Sequence, residues 1–164
     1  VELSAELDRR VALLNASFSL GPVPAGDCVW LACDLLVAGV DTPAVTELAG
    51  APPDLTFVDG AALIAAMLDE LGLPRLDEIT AAWLLAQEIA SRMLAGDLGL
   101  AAGGSELWTI CDSLLSPPDL KVITDGLADW DIMTAVEAPD SKVLARLTRL
   151  AEDVRQAATE RLGR

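Results

Sequence analysis

The stretch "LDEITAAWLLAQEIASRMLAG", residues 76–96, decides the fold class. Leu76, Ile79, Trp83, Ala86, Ala90 and Met93 recur every three or four positions, the spacing of one buried helix face, and Gly96 supplies a stop. Trp83 on that face reads as core packing rather than cofactor stacking. Glu78 and Glu88 stand ten apart, which suits a solvated face better than a shared metal.

The same period extends in both directions. Upstream, Ser4 is placed to cap a first helix with Glu6 and Asp8 in its first turn, running through "LDRRVALLNASF". Asp27 is read as the cap of a second helix that Gly39 ends, and Thr42 with Pro43 opens a short third one. Pro52 and Pro53 bar helix in "GAPPDLTF", and "VDGAALIAAMLDELG" makes a fourth helix. Downstream, Ser105 is read as the cap of "ELWTICDSLL", with Gly103 and Gly104 as a flexible entry to it. "DLKVITDGLADW" predicts one or two short turns. A final helix from about Pro139 to Leu162 carries Val143, Leu147, Leu150, Val154 and Ala157 on one face. Only "LTFV" and "LKVI" suit strands, and four residues each do not build a sheet. The expected fold is all-α, a compact multi-helix bundle of about seven or eight helices in a single helical domain over 1–164.

One phrase occurs twice. "DCVWLACDLL" (27–36) and "SELWTICDSLL" (105–115) share W-x-x-C-D-x-L through Trp30, Cys33, Asp34 and Leu36 and through Trp108, Cys111, Asp112 and Leu114. In a chain with four Trp and three Cys this spacing suggests two pseudo-repeated four-helix halves, 1–74 and 75–164. Asp34 and Asp112 then hold equivalent positions, where paired carboxylates would bind a divalent metal or act as acid and base. The simpler reading places each aspartate on the wet edge of a nearly buried helix, because an unpartnered buried carboxylate costs several kcal/mol.

Charge and composition exclude several functions. Net charge is −15, from 26 acidic against 11 basic residues. This density repels phosphate backbones and anionic membranes, so nucleic acid and membrane surfaces are not expected partners, whereas a basic protein is. Histidine is absent, which removes Ser-His-Asp and Cys-His catalysis, His-based zinc or haem ligation, and the Glu-x-x-His pairs of di-iron bundles. The three cysteines form no CxxC and read as reduced and intracellular, which places the chain in the cytoplasm. No basic n-region leads an apolar h-region, and no apolar run reaches the length of a membrane span.

"TDGLADWDIM" gathers Asp125, Asp129 and Asp131 around Trp130, yet a calcium loop counted from Asp125 would need a glutamate where Val136 stands. An acidic turn bearing Trp is instead a candidate protein contact. "LAAGGSEL" has no Lys or Arg beside its glycines and no preceding strand, so it fails as a phosphate loop.

"LLVAGVDTPAVTELAG" (35–50) followed by "LAGDLGLAAGGSELW" (94–108) resembles small, acidic, helical actinobacterial proteins of unknown function. The resemblance implies a helical fold and brings no activity or site residues. The expected function is a non-catalytic, acidic protein–protein interaction module needing no cofactor, with an immunity- or antitoxin-like inhibitor of a basic protein as its sharpest form. A homodimer through the apolar stripe of the last helix is expected if the core leaves that stripe open. The rival expectation is a helical enzyme or small-molecule binder that uses a divalent metal at Asp34 and Asp112.

Overall fold

The computed structural model describes residues 3–128 and 141–163. Among them are eight α-helices, one short 3-10 turn and no strand, so the all-α expectation holds. The chain divides into two compact units, Val1–Asp77 and Glu78–Arg164, three residues beyond the division anticipated at 74/75.

The first unit holds α1 (Ala5–Leu20), α2 (Ala25–Val37), α3 (Pro43–Ala49) and α4 (Phe57–Glu70). Ser4 caps α1 as expected, its Oγ accepting the Leu7 N–H at 3.2 Å. Helix α2 begins earlier than expected. Its cap position is Pro24, whose carbonyl accepts the N–H groups of Asp27 and Cys28, so Asp27 lies inside the first turn. Gly26 in that turn lies against Pro53, whose carbonyl oxygen would stand 2.5 Å from a Cβ there. Helix α3 starts after Thr42, but Thr42 forms no capping bond, and Glu70 of α4 accepts the Ala44 N–H at 2.9 Å instead. Leu35, Val45, Leu48, Ile64 and Met67 are fully enclosed at the centre of this unit. The segment after α4 folds back on α1: Asn15 Nδ2 donates to the Pro74 carbonyl and the Leu76 N–H donates to Ser19 Oγ, which satisfies two buried polar side chains.

The second unit holds α5 (Glu78–Ala95), α6 (Leu100–Ser113), a 3-10 turn (Pro118–Leu120), α7 (Lys121–Leu127) and α8 (Ser141–Leu162). Helix α6 also begins earlier than its sequence suggests: Gly99 is its cap position, and Gly103 and Gly104 are buried inside the helix rather than forming a flexible entry. The stripe Leu147, Leu150, Ala151, Val154 and Ala158 of α8 is buried in this unit, where α8 packs on α5, α6 and α7. Of the stripe expected to carry a homodimer, Leu147, Leu150 and Val154 are covered by this core, while Val143 and Ala157 are half-buried. Trp83 is enclosed in the same core, with the Arg161 guanidinium 5.4 Å from the centroid of its ring.

The two units share an order of helices and a pattern of neighbours. In the first, α1 packs on α2, α2 on α3 and α4, and α3 on α4. The second repeats each of these pairs, with α5 on α6, α6 on α7 and α8, and α7 on α8, and adds α5 on α8.

Candidate functional site

Helix α2 buries Ala25, Cys28, Val29, Leu31, Ala32 and Leu35. The helical period then forces Asp27, Trp30, Asp34 and Val37 onto the opposite edge, and all four are exposed. Trp30 is 61% and Val37 90% exposed, which is unusual for side chains this apolar. On one flank of the edge, α1 and α2 leave an open groove of about 270 Å³ lined by Arg10, Leu13, Leu14, Ser17, Val23, Pro24, Asp27, Cys28 and Leu31. Asp27 belongs to both the edge and the groove. Arg10 of α1 crosses to α2, its Nη1 donating to Asp34 Oδ2 at 2.6 Å.

The thiol at the groove wall is unreactive. Burial, reinforced by the negative charge of Asp27, pushes the Cys28 pKa up to about 11, and its Sγ–H donates to the Pro24 carbonyl. Burial does the same to Cys111, again to about 11. At neutral pH both remain protonated and are poor nucleophiles.

The sequence around α2 is acidic and free of cations. From Val11 to Pro74 the chain holds no Lys or Arg. It holds Asp27, Asp34, Asp41, Glu47, Asp54, Asp59, Asp69 and Glu70, and every one of these is exposed.

The two aspartates of the repeated phrase fall in different units, Asp34 on α2 and Asp112 on α6, and both are exposed. Among the described residues no group of three or more His, Cys, Asp or Glu could hold a metal ion. The phrase nevertheless has a physical echo. Trp108 and Leu115 follow the seven-residue spacing of Trp30 and Val37, and they are 36% and 91% exposed. Of the acidic turn, Asp125 lies near the end of α7, its carboxylate 2.5 Å from Lys121 Nζ one helical turn earlier. Asp129, Trp130 and Asp131 lie outside the described residues.

Sequence reasoning singled out Asp34 only as a metal ligand of the rival reading, and it gave Arg10, Leu13, Trp30 and Val37 no site role. The cation-free run from Val11 to Pro74 was the legible signal for this region. The groove itself has no sequence signal, because it arises where two helices diverge.

Among the described residues no helix is long and apolar enough to cross a membrane. The chain matches no family model, no curated protein and no solved structure.

Proposed function

We propose that this chain is a non-catalytic, acidic module that binds a basic protein, in its sharpest form an inhibitor of the immunity or antitoxin kind. The observation that carries the reading is the run from Val11 to Pro74, with eight exposed carboxylates and no Lys or Arg of its own, Asp34 being paired with Arg10 just outside it. Such a surface accelerates encounter with a positive partner and repels nucleic acid and other anionic surfaces. An inhibitor of this kind needs no reactive group. It needs shape, sign of charge and an apolar anchor, and the Trp30 edge supplies the last of these.

The reading is tested by immobilising the chain and passing extract of its own cells over it at about 0.05 M salt, then raising the salt to about 0.5 M, where screening shortens the electrostatic range several-fold. A strongly basic protein is expected to be retained and then released. Retention of no basic protein, or retention indifferent to salt, overturns the reading.

A further inference from the structure

We infer that the groove between α1 and α2, together with the Trp30 edge beside it, is the seat for a cationic amphipathic segment of the partner, an inference that rests on the basic-partner reading above. A volume of about 270 Å³ lies just under the roughly 300–1,000 Å³ of small-molecule sites. The walls are mainly Leu13, Leu14, Val23 and Leu31, with Arg10 and Asp27 as the charged groups. Such a groove suits one large apolar side chain of a protein segment better than a cofactor.

The neighbouring edge specifies what flanks that side chain. A segment lying along α2 that sets an apolar residue into the groove brings its neighbours over Asp27, Trp30 and Asp34. Lysines or arginines there meet Asp27 at the groove wall and Asp34, which they share with or take from Arg10, its partner at 2.6 Å. Trp30 then covers the apolar side of the contact, the usual position of an interface anchor. A second copy of this chain is disfavoured as the occupant, because two bodies of net charge −15 repel each other.

Helix α6 provides the control. It exposes Trp108 with the same sequence surroundings, but Gly103 lets α6 close directly onto Met93 of α5. An effect confined to Trp30 therefore reports the groove and not merely an exposed indole.

The probe is a synthetic helical peptide of about 18 residues, Lys and Leu only, with the Leu on one face. It is titrated into the chain at about 0.05 M salt, following tryptophan emission and binding heat. One peptide per chain and a blue shift of the emission are expected. Trp30→Ala, the groove-filling Leu13→Trp, and the double variant Asp27→Asn with Asp34→Asn are each expected to weaken binding at least tenfold, while Trp108→Ala leaves it unchanged. Far-UV circular dichroism checks that each variant is folded, and the double variant alters only exposed side chains should Leu13→Trp disturb the core. If the peptide binds wild type and all variants equally, the seat is wrong although the basic-partner reading stands. The seat is equally wrong if Trp108→Ala weakens binding as much as Trp30→Ala, or if sedimentation shows a dimer that Leu13→Trp disperses. If the peptide does not bind wild type at all, the basic-partner reading fails and takes the seat with it.

Discussion

Gly103 of α6 faces Met93 of α5 so closely that a Cβ on the glycine would stand 2.3 Å from Met93 Cγ and 2.4 Å from its sulfur. Alanine is intrinsically the better helix former by about 1 kcal/mol, so an open site would gain from the exchange. Here overpacking opposes it, at a cost of about 1–3 kcal/mol. Gly103→Ala is therefore expected to lower stability in urea melts. In a Met93→Ala background, which removes the obstructing atoms, the same substitution should become stabilising. A Gly103→Ala effect of the same sign and size in both backgrounds would show that the contact is not the cause.

Leu115, two residues past the end of α6, has φ +56° and is followed by Ser116 at +51°, whereas Gly39, Gly72, Gly96 and Gly163 occupy the other positive-φ positions among the described residues. The Ser116 N–H reaches back to the Cys111 carbonyl at 2.7 Å, the bond expected of a left-handed helix stop. A branched side chain in that region costs roughly 1–2 kcal/mol, and glycine's extra chain entropy offsets about 0.5–1 kcal/mol of any gain. Leu115→Gly should therefore raise stability by about 0.5–1 kcal/mol, since a side chain 91% exposed contributes little packing. An unchanged or lower melting temperature would contradict this.

Helix α3 takes its cap from Glu70, 26 residues away, while the hydroxyl of its own cap residue Thr42 is buried with no hydrogen-bond partner. Glu70→Ala should cost about 1 kcal/mol, the usual loss for a helix cap. Thr42→Val should be neutral or slightly stabilising, because it replaces an unsatisfied hydroxyl with a methyl of similar size. The reverse ranking in denaturant melts would restore Thr42 as the cap.

Cys28 and Cys111 both titrate near 11 in the folded chain, above the ordinary value of 9.0. Below pH 9 the thiols are protonated whether folded or unfolded and do not alter stability. Between 9 and 11 the unfolded chain releases these protons first, so stability falls as pH rises, by up to roughly 3 kcal/mol for each thiol. Replacing both cysteines with alanine should remove this alkaline component from a stability-versus-pH profile, even if the variant is less stable throughout. A double variant with the same alkaline decline would assign it to other groups.

The Arg10–Asp34 pair is well exposed on both sides, so Asp34→Asn should change stability by less than about 1 kcal/mol. A loss of several kcal/mol in urea would mean that Asp34 holds α1 to α2, and it would no longer serve as a clean probe of the groove.

Much of this protein could be read from the order of its residues. The three-and-four spacing from Leu76 to Met93 defines α5, and the Ser4 cap of α1 forms as expected, because both depend on neighbours one or two turns away. The same period put Asp27 and Asp34 on the wet edge of α2, and composition alone established the acidic surface. The helix starts at Pro24 and Gly99, the capping of α3 by Glu70, the burial of Gly103 and the groove beside Trp30 were decided by tertiary structure. Each depends on groups brought together from distant parts of the chain, as Arg10 and Asp34 are across 24 positions. Local propensity places a cap at the first suitable hydroxyl and a break at a pair of glycines. Packing overrides both when a neighbouring helix supplies the carboxylate or requires the missing side chain.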